Sequence, residues 1–207
     1  MTLYVPSHFR VEEPQVLDAF IAANAFGTLV SSGTGGLHAS HVPFVPGRDA
    51  NGTLRLRFHL ARVNPQADAL AQAGDVLAIF QGPHGYVSPT WYENHPAVPT
   101  WNYAVVHAHG RVEPMDQAGL RALLEDLSST YERGRPEPWT MGGTPAGFID
   151  KLLPVITGFT LVVARLDGKF KLSQNRPGDD ARRVIEALDA GGEPELAALM
   201  RGHPPRR

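Results

Sequence analysis

Aromatic and polar side chains alternate along residues 81–110, QGPHGYVSPTWYENHPAVPTWNYAVVHAHG, and this pairing of types is suited to binding a flat ligand. The stretch holds two of the three Trp, three of the five Tyr and four of the nine His in the chain. Aromatic rings with polar tips can stack on a planar ring and hydrogen-bond to its edge. Ordinary strand packing is the alternative, but neighbours such as Ser88, Thr100 and Asn102 are poor filler for an apolar core. We therefore predict a site for a planar ligand here.

A second stretch, FHLARVNPQ at residues 58–66, has the pattern of a strand, a short loop and a helix start. Asn64 is a good N-cap, and Pro65 suits the first helical position. A helix N-terminus offers free backbone N–H groups and favours negative charge, and Arg62 adds a cation beside Asn64 and Gln66. The pattern indicates an anion site. The alternative is a solvated loop arginine next to an ordinary helix cap.

Other reactive residue types give weaker patterns. His107 and His109 share a strand face, but no carboxylate lies at a ligand offset and the chain has no Cys and no HExxH motif, so no metal site is predicted. Ser88 and Ser173 lack a GxSxG motif, which leaves acyl transfer without support. The segment at 171–176, KLSQNR, places several donors at a strand end, where a plain hydrophilic exit is the alternative. No catalytic residue is predicted.

The elements that position these residues are mainly strands. Alternation of Leu54, Leu56, Phe58 and Leu60 with polar residues predicts a strand at 53–60. Further strands are predicted at 27–32, 38–45, 75–80, 99–112, 157–166 and 169–172, with a hairpin turn at Asp167-Gly168 between the last two. Helices are predicted at 14–24, 65–72, 116–133, 148–153, 179–188 and 195–200. Many strands with short turns and no βαβ order predict a mainly β (α+β) fold, a β-barrel decorated by peripheral helices.

Composition limits the class of protein. The 207 residues fit one generous domain or a domain with a small appendage. The net charge is −2, and the 19 Lys and Arg are dispersed, so there is no electrostatic footprint for a nucleic acid. The absence of Cys fits a reducing compartment. Neither a signal-like N-terminus nor an apolar run near the ~20 residues of a membrane span is present, so we expect a cytoplasmic protein with no membrane partner.

Six motifs in this order carry a resemblance to a known family: TLYVPSHF at the start, ASHVPF (39–44), HLARVNPQ (59–66), FQGPHGYVSPTWY (80–92), VPTWNYAVVHAHG (98–110) and GKFKLSQNR (168–176). Together they resemble the PaiB family of FMN-binding negative transcriptional regulators. The matches extend from residue 3 to residue 176, which covers most of the chain. Their shared order makes the resemblance far more specific than any single motif.

The resemblance implies an FMN-binding split barrel, related to flavin reductases and pyridoxamine-phosphate oxidase, that works as a homodimer with flavin at the subunit interface. Residues 1–176 would form the split-barrel domain, and residues 177–207 a C-terminal helical extension packed on the same domain. The loop around Arg62 and Asn64 would bind the flavin phosphate, and the strand at 40–43 would line the isoalloxazine ring. The implied cofactor-binding residues are Ser40, His41, Pro43, Arg62, Asn64, Gln66, Trp101, Asn102, Lys171, Ser173, Gln174 and Asn175.

Two functions follow from the resemblance. The first is a flavin-dependent redox or sensing protein linked to negative transcriptional regulation, with oxidoreductase activity left open. The alternative is a repressor that binds DNA directly and in which flavin is absent or only structural. The sequence shows no helix-turn-helix with a basic recognition helix, so its charge pattern does not support DNA binding.

Overall fold

The structure, a computed structural model, describes residues 3–33, 35–72 and 74–205. The strands within these residues are β1 (Arg10–Val11), β2 (Phe26–Gly33), β3 (Gly36–Pro43), β4 (Val45–Arg48), β5 (Leu54–Ala61), β6 (Val76–Val87), β7 (Thr100–Pro114) and β8 (Ile156–Lys171). The α-helices are α1 (Pro14–Ala23), α2 (Pro65–Gln72), α3 (Gln117–Glu132), α4 (Phe148–Leu152), α5 (Gly178–Ala190) and α6 (Pro194–Arg201). In this described part of the chain, no helix is long and apolar enough to cross a membrane.

The strands form one sheet in the order β3-β2-β6-β7-β8-β5-β4, and β1 pairs with β8. β2 pairs antiparallel with both β3 and β6, and β5 pairs antiparallel with both β4 and β8. All of these pairs, and the β1–β8 pair, are antiparallel, whereas a βαβ unit needs a parallel pair. The mainly β, α+β class predicted from the sequence is confirmed.

Internal contacts divide the chain into two compact units. The first unit comprises Met1–Phe20, Gln81–His107 and Asp167–Arg207, and the second comprises Ile21–Phe80 and Ala108–Leu166. Helices α5 and α6 belong to the first unit, and the domain boundary predicted at residue 176 stays a prediction.

Each unit has its own aromatic packing. In the second unit, the ring of Phe44 lies 5.2 Å from the rings of both Phe58 and Phe80, measured between centroids. In the first unit, the rings of Phe20 and Phe170 lie 4.8 Å apart. Such ring pairs stabilise the fold by more than the burial of their apolar area alone.

Elements with a strong local pattern form as predicted. β5 buries Leu54, Leu56, Phe58 and Leu60 on one face. Helix α3 begins after Asp116, whose carboxylate accepts a hydrogen bond from the Gly119 N–H at 2.7 Å. This contact satisfies one of the N–H groups that a helix start leaves free.

The hairpin turn predicted at Asp167-Gly168 is wrong. β8 continues through both residues, and Gly168 pairs with Val11 of β1. A Cβ on Gly168 would lie 2.5 Å from Leu17 Cδ2 and 2.7 Å from the Val11 carbonyl oxygen. The glycine therefore permits a close approach of chain segments and does not supply the positive φ of a turn.

Two other predicted strands have different bounds. The strand predicted at 38–45 divides at Phe44, which is buried and donates its N–H to the Ala25 carbonyl at 2.8 Å, and β4 then pairs with β5. The strand predicted to end at residue 80 continues to Val87 as β6. Gly85 in this extension lets Leu196 of α6 pack closely, because a Cβ there would lie 2.9 Å from Leu196 Cδ2.

Candidate functional site

The first group of predicted ligand-binding residues lies in the second unit, and we call it the loop cluster: Ser40, Arg62, Asn64 and Gln66. The Asn64 side chain connects two elements, because its Oδ1 accepts the Gln66 N–H at 2.9 Å and its Nδ2 donates to Ser40 Oγ at 3.1 Å. The first bond caps α2, and the second ties the cap to β3. Asn64 thus fixes the start of α2 against the strand that carries Ser40.

Gln66 is buried beneath this loop, with 1% of its surface exposed. Its Nε2 donates to the Leu29 carbonyl at 3.2 Å and to Ser31 Oγ at 3.1 Å, and it lies 3.4 Å from the His38 carbonyl. These bonds hold α2 against β2 and β3. The side chain of Gln66 is therefore used inside the protein, where it positions the loop.

Arg62 is exposed and is held by main-chain oxygens. Its Nε donates to the Pro154 carbonyl at 2.7 Å and its Nη2 to the Ile156 carbonyl at 3.1 Å. Among the residues that the structure describes, no carboxylate lies at ion-pair distance from this guanidinium, whereas Arg55 pairs with Asp49 at 2.8 Å. The charge of Arg62 is therefore not compensated by a carboxylate, and its remaining guanidinium N–H groups are available to a ligand.

The free helix N–H groups expected at the start of α2 are already occupied. The Gln66 N–H donates to Asn64 Oδ1, and the Ala67 N–H donates to the Asn64 carbonyl at 2.8 Å. These two N–H groups are therefore used within the protein, and the anion site predicted at this loop stays a prediction. Donors that remain here include the Arg62 guanidinium and the Ser40 hydroxyl, which accepts from Asn64 and can still donate its own hydrogen.

His41 and Pro43 lie on the other face of β3 from Ser40. In the β2–β3 pair, Ser40 is opposite Leu29 and His41 is opposite Thr28, and successive strand residues point to opposite faces. The His41 Nδ1 lies 2.9 Å from Thr28 Oγ1 on the exposed face. The structure therefore brings Ser40 together with Asn64 and separates His41 from them.

The second group lies in the first unit, and we call it the strand-end cluster: Trp101, Asn102, Lys171, Ser173, Gln174 and Asn175. Asn102 and Ser173 are buried and bonded to each other, because Asn102 Nδ2 lies 2.9 Å from Ser173 Oγ and Ser173 Oγ lies 3.3 Å from Asn102 Oδ1. Ser173 has a φ of 68°, which is unusual for a residue other than glycine. The bond to Asn102 stabilises this turn at the end of β8.

Lys171 and Gln174 are also held by the first unit. The Lys171 ammonium donates to Thr100 Oγ1 at 2.6 Å and to the Trp101 carbonyl at 2.5 Å. Burial lowers the pKa of Lys171, and the nearby charges of Lys169 and Arg176 lower it further. Gln174 bonds the main chain at both ends of its amide, at Leu172 and Phe170, with 2.7 Å for each bond. Asn175 is exposed.

Only part of the predicted aromatic surface is accessible. Trp101 is 54% exposed and Tyr86 is 46% exposed, with ring centroids 6.1 Å apart. Tyr92, by contrast, is buried, and its ring lies 4.3 Å from the Arg176 guanidinium carbon. The stretch at 81–110 therefore contributes both packing and an exposed pair of rings.

Sequence reasoning missed Asp180. This carboxyl group is fully covered by neighbouring atoms, although it lies near the surface, and its Oδ1 accepts from the N–H groups of Glu93 and Asn94 at 2.8 and 3.2 Å and from Asn94 Nδ2 at 3.1 Å. Burial acts to raise the pKa of Asp180, but these hydrogen bonds and the charge of Arg176 outweigh it and lower the pKa. No local signal marks the residue, because an Asp in a first helical turn is ordinary.

The histidines form no metal centre in the part of the chain that the structure describes, where no group of three or more His, Cys, Asp or Glu side chains could hold an ion. His59 is an example of a histidine inside the fold. Burial lowers its pKa, which favours the neutral ring.

Comparison with known proteins identifies the class. Residues 3–165 match the family described as "Putative FMN-binding domain". The chain is 33% identical over 201 residues to "Protease synthase and sporulation protein PAI 2" of Bacillus subtilis, with 96% of both chains covered. It is 34% identical over 227 residues to an uncharacterized protein of Aspergillus fumigatus, covering 86% of this chain and 87% of that one.

Solved structures share the fold at low sequence identity. The flavocytochrome Anf3 of Azotobacter vinelandii superposes with a TM-score of 0.60 at 16% identity, covering 81% of this chain and 72% of that chain. The FAD and heme binding protein of Mycobacterium smegmatis gives a TM-score of 0.58 at 18% identity, covering 78% and 73%. These structures show the split-barrel fold, and the family match over residues 3–165 makes the chain a member of a flavin-binding family. The chain belongs to the PaiB family, as the sequence motifs predicted.

Proposed function

We propose that the flavin bound by this protein is FMN and that its phosphate lies at the loop cluster. The observation that carries this proposal is the exposed Arg62 guanidinium, which is held by two carbonyls and has no carboxylate partner among the described residues. A phosphate dianion is the kind of ligand that an unneutralised guanidinium binds with two parallel hydrogen bonds.

The donor set fits a phosphate. Arg62 Nη1 has both hydrogens free of the carbonyl bonds that Nε and Nη2 make. The Ser40 hydroxyl offers a further donor, and Asn64 holds that hydroxyl in place. The positive end of the α2 dipole adds a favourable field near its first turn.

When bound, the isoalloxazine ring of FMN supplies reversible electron-transfer chemistry. The residues of this chain bind and orient the cofactor: Arg62 and Ser40 hold the phosphate end, and Asn64 and Gln66 keep their loop in place. The flavin contacts predicted for the strand-end cluster stay predictions, namely those of Trp101, Asn102, Lys171, Ser173, Gln174 and Asn175. We infer a redox or sensing role from the class of cofactor.

We further propose that the protein works as a homodimer through one exposed face of the β2–β3 hairpin. This surface, which we call the hairpin face, carries Phe26, Thr28, Val30, Leu37, Ala39 and His41. Phe26 is 68% exposed and Leu37 is 77% exposed. Large apolar side chains exposed on one face are typical of a protein interface, and a second copy of the chain is the partner that the family resemblance implies.

A link to negative transcriptional regulation is also part of the proposal. It is supported by the sequence similarity to the Bacillus subtilis protein, whose name connects that protein to protease synthesis and sporulation. Direct DNA binding is the alternative, and retardation of upstream DNA at low salt that weakens steeply as salt rises would support it.

The first experiment measures flavin retention. Purified protein is mixed with FMN and passed through a gel-filtration column, and we expect the flavin absorbance band to elute with the protein. Flavin fluorescence at micromolar protein tests the same point in solution. Complete separation of flavin from protein, with unchanged fluorescence, would contradict the proposed cofactor.

A further inference from the structure

A cavity of about 670 Å³ lies in the first unit, between the end of β8, helix α5 and helix α6. Its volume is within the range of small-molecule sites in proteins. Its lining includes three arginines and three large apolar side chains, namely Arg176, Arg182, Arg201, Leu172, Ile185 and Met200. None of the lining residues is acidic.

The three arginines differ in how far their charge is neutralised. Arg182 pairs with Glu186 at 3.0 Å, and Arg201 forms an ion pair with Asp189. Arg176 has no ion-pair partner among the described residues, and its guanidinium carbon instead lies 4.3 Å from the centroid of the Tyr92 ring. A cation–π contact of this kind uses the face of the guanidinium and leaves its N–H groups available to an anion.

The floor of the cavity is apolar, in contrast to the charged arginines of its lining. Leu172 and Met200 are almost fully buried, and Ile185 is half-buried. A ligand that uses both parts of the lining must carry a negative group for the arginines and an apolar body for this floor.

We propose that this cavity binds a small organic anion with an apolar body, of the class of medium-chain or aromatic carboxylates. The Arg176 guanidinium binds the carboxylate in a bidentate pair, and Leu172, Ile185 and Met200 contact the hydrocarbon. Arg182 is shared with Glu186 and Asp179 and offers a further N–H donor at the rim. The residues of this site differ from those of the loop cluster, and the proposal does not rest on flavin binding.

The cavity also connects to the strand-end cluster within the first unit. Met200 on the cavity floor accepts a hydrogen bond from Asn102 Nδ2 at 3.4 Å, and Asn102 is bonded to Ser173. Leu172, another floor residue, precedes Ser173 directly. An anion bound here therefore changes the surroundings of the Asn102–Ser173 pair.

Binding of octanoate to the purified full-length chain tests the proposal, with 1-octanol as the uncharged ligand of the same chain length. We expect octanoate to bind about tenfold or more tightly than octanol, as measured by calorimetry. In NMR spectra, the amide signals of Leu172, Ile185 and Met200 should shift during the titration. No binding of octanoate, or equal binding of the two ligands, would overturn the proposal.

The octanoate affinity of arginine variants inside the cavity lining is compared with that of an arginine variant outside it. We expect Arg176→Gln to weaken octanoate binding about tenfold, and Arg182→Gln to weaken it by a smaller factor. Arg183→Gln is the control, because Arg183 lies beside Arg182 in sequence, is outside the lining and pairs with Glu93 at 3.7 Å. Because Arg182 is exposed, its variant tests the site even if Arg176→Gln fails to fold. Wild-type affinity in the folded arginine variants would refute the site.

Discussion

Arg62 and Gln66 lie four positions apart, and the structure gives them different roles. Arg62 is exposed with an unneutralised charge, whereas Gln66 is buried and bonded to β2 and β3. Both residue types are common in phosphate sites, so their identity alone predicts the same role for each. The difference in burial shows that Arg62 can reach a ligand and that Gln66 positions the loop. This difference depends on β2 and β3, which lie far from both residues in sequence.

Asp180 gives a prediction at the scale of a single residue. We expect Asp180→Asn to lower the free energy of unfolding by about 1–3 kcal/mol at neutral pH, because the acceptor of three buried hydrogen bonds changes from a charged carboxylate to a neutral amide. Urea unfolding measures the difference. Asp179→Asn is the control, since Asp179 is exposed and pairs with Arg182 at 3.4 Å, and we expect it to change stability by less than about 0.5 kcal/mol.

The pH dependence of that difference has a definite sign. The folded-state pKa of Asp180 is lowered, so its stabilising contribution is fully present above the unfolded-state pKa of about 4. The contribution is lost as the pH falls through the folded-state pKa. The stability difference between the wild type and Asp180→Asn should therefore shrink in acid. A difference that stays constant down to pH ~3 would contradict this account of the carboxylate.

Helices and strands that depend on interactions between neighbours in sequence could be predicted from their local sequence patterns. The alternation in β5 and the Asn64-Pro65 start of α2 each involve neighbours in sequence, and both elements form as predicted. Gly168 is different, because Asp-Gly is favoured in hairpin turns and the packing of Leu17 and Val11 against it cannot be read from nearby residues. The division of the 38–45 strand at Phe44 has the same origin, since Phe44 is buried by distant rings.

A substitution at Gly168 tests the packing of β1 and α1 against β8. We expect Gly168→Ala to destabilise the protein by about 1–3 kcal/mol, because the new Cβ would lie 2.5 Å from Leu17 Cδ2. Gly47→Ala is the matched control in a strand, since nothing lies within 4 Å of a Cβ at that position. Thermal or urea unfolding of both variants measures the effect. Equal stability of the two variants would refute the close packing of β1 and α1 against β8.

At the scale of the whole molecule, the family and the fold class were predictable because six ordered motifs extend over most of the chain. The homodimer, which the family resemblance implies, stays a prediction. Phe26 and Leu37 stand in strands where the sequence does not show which face is covered. Their exposure in the structure of one chain motivates a test of the proposed dimer.

We expect the wild-type protein to have twice the 22.5 kDa mass of the chain in light scattering. The double variant Phe26→Lys, Leu37→Lys should give the monomer mass, because charges on the hairpin face oppose its burial against a second copy. Tyr131→Lys is the control, since Tyr131 is 51% exposed but lies on α3. A monomeric wild type, or a double variant that remains dimeric, would contradict the proposed interface.

Titration of FMN and riboflavin against the wild type and Arg62→Ala is the most direct test of whether Arg62 binds the phosphate of FMN. We expect Arg62→Ala to weaken FMN binding by about tenfold to a hundredfold, because a charge-assisted bidentate pair is worth roughly 1.5–3 kcal/mol. Riboflavin lacks the phosphate, so its affinity should barely change. Arg111→Ala is the control at an exposed arginine that lies 3.6 Å from Asp75.

Arg62 also donates to the carbonyls of Pro154 and Ile156, so the melting temperature of each flavin-free variant is measured alongside. A selective loss of FMN affinity in a variant that still folds is the result that the account predicts. An equal loss for riboflavin would assign Arg62 to the ring or to the fold. Unchanged FMN affinity would contradict the claim and move the phosphate elsewhere, to the strand end at 171–176 as the next candidate.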